Sequence, residues 1–259
     1  MLLKEYYVSL CSRSSMLITV WKRLFVSSTL IRRLYDHCVY HVYLIGIESL
    51  SIVIFMSCFV GMIFTFQVTR ELTYLGATNL VGSVLTVTFL RELSPVVTAI
   101  VVASRIGASY TAELAAMQVT NQVNVLYMLN VDPVQYLIYP RVIAAMLMLP
   151  ILNLVSLSTT LASSLLIASG LYYIAPLTFL KSSFASFSVV DLILSLLKTV
   201  IFGLIIVNVS CIWGLHATGG SANVGKATTS SVVTILVIIF MSDFLLSLLM
   251  FHNSQSIFY

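Results

Sequence analysis

Thirty-nine consecutive residues, Val142 to Leu180, contain no Lys, Arg, Asp or Glu. As a helix rising 1.5 Å per residue this stretch would extend about 58 Å, nearly twice the roughly 30 Å hydrocarbon thickness of a bilayer. Gly170 and Pro176 divide it, which predicts one span near 142–169 followed by a short interfacial excursion. Further apolar stretches predict spans near 44–68, 80–104, 192–215 and 228–250. The second is interrupted by Arg91 and Glu92, and the fifth contains Asp243. The expected fold class is all-α: a polytopic membrane protein with five transmembrane helices. Composition agrees, because only 8% of the 259 residues are charged, against about 25% in a soluble domain. That excludes a secreted disulfide scaffold, a cytosolic enzyme and a nucleic-acid binder.

Charge placement sets the expected orientation. With five spans, the N-terminal segment shares a side with the 105–141 and 216–226 segments. That side collects Lys4, Arg13, Lys22, Arg23, Arg32, Arg33, Arg105, Arg141 and Lys226, nine of the 13 basic residues. The bias places the N-terminus in the cytoplasm or its organellar equivalent. Within residues 1–43, Leu17, Val20, Trp21, Leu24, Ile31, Leu34, Tyr35 and Cys38 recur at helical spacing, with the basic residues mostly off that stripe. An amphipathic helix in the headgroup layer fits this pattern, and so does a partly ordered basic tail. Lys22 and Arg23 interrupt any apolar leader, so no cleaved signal is expected.

Residues 108–131 lose apolar content but keep a broken helical period through Leu114, Met117, Val119, Val123, Leu126 and Leu129. Asp132-Pro133 then supplies a stop. A helix this polar does not span. It suits docking to a partner protein, or rests on the membrane as a connector. Arg91 and Glu92 at bilayer depth each need polar surroundings, worth about 2.5–3.5 kcal/mol per charge on insertion scales. As adjacent residues they point in different directions and call for separate partners, either lining a transport cavity or tying helices together. After them, Ala99, Ala103 and Gly107 form a small-residue ladder suited to close helix packing.

Several motifs carry no function on this reading. Gly220–Lys226 fits GxxxxGK, but Ala227 replaces the magnesium-binding Ser/Thr and no strand precedes it. Asn208-Val-Ser210 is a glycosylation sequon inside a span. Cys11, Cys38, Cys58 and Cys211 have no metal-ligand spacing. No cofactor, metal or catalytic group is expected.

The residues Arg91-Glu-Leu-Ser-Pro95, Arg105-Ile-Gly-Ala108, Ala112-Glu-Leu114, Met117-Gln-Val-Thr120, Val131-Asp-Pro133 and Pro140-Arg141-Val occur in this order. Gly219-Gly220, Val224-Gly225 and Ala227-Thr228 follow them. Together they resemble the MlaE-type permease family, membrane subunits of lipid-moving ABC transporters that work with MCE-domain proteins. The resemblance covers about residues 45–251. It implies a homodimer of permease copies in residues 44–259, an N-terminal interfacial helix, and a cytoplasmic coupling helix near 108–131 seated on a separate ATPase subunit. Glu113, Met117 and Asp132 are the coupling candidates it suggests. Arg91, Glu92 and Asp243 are candidates for polar points of a lipid cavity between the two copies. Asn121 and Asn124 stand where the family often has acids, and Ser94 where it has Gly. The chain's richness in Leu, Ile, Ser, Phe and Tyr is similar to that of plastid-encoded algal members. The expected location is therefore a plastid membrane, the inner envelope in particular, with a bacterial inner membrane as the alternative. The competing functional class is an intramembrane enzyme acting on lipid or isoprenoid; a purely structural assembly subunit is a third.

Overall fold

The computed structural model describes residues 31–129 and 131–252; residues 1–30 of the expected interfacial segment 1–43 lie outside them, and its remainder belongs to the first long helix. Helix α1 (Ile31–Tyr74) and α2 (Thr78–Val119) are joined at Gly76, whose φ of +67° makes the tight turn. Then come a short helix α3 (Gln122–Met128), α4 (Val134–Tyr172), α5 (Pro176–Ala185), α6 (Val189–Leu215) and α7 (Ser221–His252). Among the described residues there is no strand, and α1, α2, α4, α6 and α7 are each long and apolar enough to cross a membrane. Each expected span lies within one of them. The end of the bundle where α1 begins, called the near end below, is the one the basic residues assign to the cytoplasm or stroma.

The most extensive helix contact is α1 on α4. Every fourth residue of α1 is buried: His41, Ile45, Ser49, Val53, Ser57, Gly61, Thr65 and Thr69. Small and hydroxylic residues let the two backbones approach. A Cβ placed on Gly61 would come 2.7 Å from the Thr160 carbonyl oxygen, and Ser57 shares a hydrogen bond with Thr159. The opposite face carries Tyr43, Ile47, Phe55, Phe59, Ile63 and Phe66, all exposed. Large apolar side chains thus face outward, as lipid solvent requires, and small polar ones face inward.

Helix α2 is not uniformly wound. Two π-helical turns, Phe89–Leu93 and Ala103–Gly107, interrupt it, and a third, Val134–Ile138, opens α4. Such turns are rare and concentrate at functional positions. The first contains Arg91 and Glu92, the second Arg105. The small-residue ladder is buried as the spacing suggests: a Cβ on Gly107 would meet Ile235 of α7 at 3.1 Å.

The segment 108–131 is divided rather than one helix. Residues 108–119 continue α2, and the break comes at Thr120–Asn121, where Asn121 adopts the left-handed conformation. Local polar bonding supplies the reason: the Thr120 hydroxyl donates back to the Ala116 carbonyl, and the Asn124 amide donates to Asn121 Oδ1. The Gly-rich 216–226 segment likewise is only partly a loop, because α7 starts at Ser221, just after Gly219 at φ +100°. After α4, Tyr173 in the left-handed conformation ends the helix, and Pro176 starts α5. That short helix packs on the start of α2, with Ser83 donating to the Ser182 carbonyl.

Candidate functional site

Two charged centres stand inside the bundle, one toward the far end and one at the near end. The far one is built on the first π turn of α2. Arg91 sends both Nε and Nη2 to Asp191 Oδ2, at 3.0 and 2.9 Å. Asp191 is buried in the first turn of α6, where the helix dipole favours an anion. Glu92 points elsewhere, as adjacent positions on a helix must, and meets Lys198 of α6. The Lys198 ammonium lies 3.2 Å from Glu92 Oε2, 2.9 Å from Asp243 Oδ1, 3.0 Å from the Arg91 carbonyl and 2.7 Å from Ser247 Oγ. Ser247 in turn donates to Glu92. Beside this cluster, Ser94 donates to Asn153 Oδ1 and Asn153 donates to Ser195, linking α2, α4 and α6.

The burial is uneven. The Lys198 side chain is 0% exposed, whereas Glu92 is 41% and Arg91 34% exposed. Lys198 stands nine residues, about 14 Å, into α6, well within the span. Two expected polar points, Glu92 and Asp243, are therefore brought together while the Arg91 side chain goes to Asp191, and the centre of the cluster is a lysine that sequence reasoning passed over. The signal was available: Lys198 is a charge inside the predicted 192–215 span, the same test that singled out Arg91.

At the near end, Glu113 of α2 pairs with Arg141 of α4 at 2.9 Å. The Arg141 guanidinium lies over the Tyr110 ring, 4.8 Å from its centroid, and the Tyr110 hydroxyl shares a hydrogen bond with His41 Nδ1 of α1. The other coupling candidates are placed differently. Met117 packs against the core rather than facing outward. Asp132 accepts the Val134 amide and so opens α4. Exposed apolar residues at this end include Val125, Tyr127, Met128 and Leu129, on and just after α3. The helical period grouped Leu129 with Leu114; with the break at Asn121, Leu114 is buried and Leu129 is exposed.

Charges left part-exposed at bilayer depth need a polar cover or a water-filled cavity, and membrane transporters are the class of helical protein built around such a requirement. Comparison with known proteins makes this specific. The family described as "Permease MlaE" matches residues 38–249, and the chain belongs to that family. It is 43% identical to a probable ABC transporter permease protein, ycf63, of Pyropia yezoensis, over 94% of this chain and 93% of the relative. It is 48% identical to the probable ABC transporter permease protein slr1045 of Synechocystis, over 82% and 80%. It is also 44% identical to the chloroplastic protein TRIGALACTOSYLDIACYLGLYCEROL 1 of Arabidopsis thaliana, over 81% of this chain and 60% of that protein. The chain is thus an ABC transporter permease, a multi-pass membrane protein of the plastid or bacterial type, and a transporter rather than an enzyme.

Proposed function

We propose that the chain is the membrane half of a lipid-moving ABC transporter of the plastid inner envelope. On this reading it works as a homodimer, with a separate ATPase subunit at the near end and an MCE-domain protein on the other side. The observation that carries it is the part exposure of Glu92 and Arg91, two charged side chains at bilayer depth in α2. A second copy set against this face would enclose the charges in a cavity with apolar walls and polar points. That suits an amphiphile, whose headgroup needs the charges and whose chains need the walls. The chloroplastic relative's name, which is that of a galactolipid, favours a lipid cargo.

The ATPase reading rests on α3. It presents Tyr127, Met128 and Leu129 outward with no charged residue between Gln122 and Met128, as an apolar knob for a partner's groove requires. Glu113 lies at the same end.

The test is reconstitution of the permease with its ATPase and MCE-domain partners in phosphatidylcholine vesicles carrying a fluorescent phospholipid. ATP-dependent movement of the probe is expected, with loss on Glu92→Gln. Met128→Asp is expected to insert normally and to lose the ATPase on purification. A wild-type complex that does not move the probe with ATP would overturn the lipid reading; retention of the ATPase by Met128→Asp would overturn the docking assignment.

A further inference from the structure

We propose that Arg141 is the positioning residue through which a displacement of the ATPase-facing end of α2 is passed to α1 and α4; this rests on the functional reading above. Three observations carry it. First, Arg141 is 1% exposed and ranks among the largest fully enclosed side chains of the bundle, yet its carboxylate partner among the described residues, Glu113, is 48% exposed. The pair thus joins the interior of α4 to the surface of α2. Second, its Nε and Nη1 are enclosed without a hydrogen-bond partner. A buried guanidinium normally satisfies its fork of five donors, so this one depends heavily on its carboxylate contact. Third, the chain of contacts continues. Arg141 stacks on Tyr110, Tyr110 meets His41 of α1, and the buried Cys211 thiol of α6 lies beside the guanidinium. Helices α1, α2, α4 and α6 therefore meet around one cation.

The physical consequence is directional. A buried charge held by one anion loses much of its compensation when that anion moves. If a partner pulls the Glu113 carboxylate, the guanidinium must follow it or find new acceptors for Nε and Nη1. Either response moves α4, and the Tyr110–His41 contact carries α1 along. The tight fit nearby opposes independent sliding: a Cβ on Gly214 of α6 would come 2.6 Å from Leu114 Cβ. Neither Glu113 nor Tyr110 alone has this property, since one is half in solvent and the other is satisfied.

The experiment compares wild type, Arg141→Lys and Glu113→Gln, singly and together, in the reconstituted complex. Lysine keeps the charge but loses the planar fork and the ring stacking. Expected for Arg141→Lys are normal assembly and an unchanged KM for ATP, with lipid moved per ATP hydrolysed down about tenfold, the size of a typical coupling between sites. The double variant should fall no further than Arg141→Lys alone, because both changes break one link. Spin labels at the exposed Val39 of α1, read between the two permease copies, supply a readout that needs no cargo. Their separation should change with ATP in the wild type and not in Arg141→Lys. Proportional loss of hydrolysis and transport, additive losses in the double variant, or a preserved nucleotide-driven distance change would each overturn the role of Arg141. A wild-type complex that hydrolyses ATP without moving lipid would overturn the cargo reading instead, with the label distances still deciding the link.

Discussion

The two charged centres share a plan and differ in completeness. Each buries a cation and leaves its acid partly open: Lys198 with Glu92 in the far half, Arg141 with Glu113 at the near end. Lys198, however, is surrounded by oxygens of α2 and α7, including two carboxylates and a backbone carbonyl. Arg141 has one carboxylate and one ring, and two of its nitrogens have no acceptor. A saturated cation locks the helices it touches, because any shift breaks several contacts at once. An undersaturated one follows its single partner. The far centre therefore fixes the geometry of the proposed cavity, while the near centre is the one able to transmit movement.

The largest expected effect tests the locked centre. Lys198→Met leaves Glu92 and Asp243 without their common cation and should cost about 3–5 kcal/mol, read as a lower melting temperature of the detergent-solubilised protein. Adding Glu92→Gln and Asp243→Asn should recover most of it. Failure of that rescue would break the view that Lys198 acts as the hub. Arg91→Ala should cost less, about 2 kcal/mol, because the orphaned Asp191 keeps its helix N-terminus; the same melting experiment reads it. Should Arg141→Lys destabilise as much as Lys198→Met, the contrast between a locked and a responsive centre would fail. Gly214→Ala overpacks the near end between α6 and α2 and should cost about 1–2 kcal/mol, with Gly220→Ala, which has open space around it, as the matched control. The smallest effect is Tyr110→Phe, about 1 kcal/mol for one hydroxyl bond to His41, with a reduced nucleotide-driven distance change as its sharper signature.

Much of this architecture is legible before any coordinates. Apolar runs with few or no charges mark all five spans because lipid forbids unpaired charge over that length. The exceptions, Arg91, Glu92 and Asp243, mark the far centre for the same reason. Legibility fails in two places, each for a physical cause. In α1 the buried row is small and polar while the exposed row is large and apolar, so the periodicity used for soluble helices points the wrong way. In 108–131, side-chain bonds at Thr120 and Asn124 break the helix, an outcome that propensity alone does not fix. Met117, before the break, packs against the core, and Met128, after it, is exposed.

By itself, then, the sequence determined that the chain spans a membrane with five helices, which side carries the positive charge, and which family it resembles. Those properties depend on composition and order, and the bilayer reads them one segment at a time. Only the tertiary structure decided which charges meet. Lys198 is separated from Glu92 by more than a hundred residues and from Asp243 by 45, and Arg141 reaches Glu113 across a helix break. Pairing across helices depends on their rotation and depth, which are set by packing at positions such as Gly61 and Gly214. No local pattern along the chain records that packing.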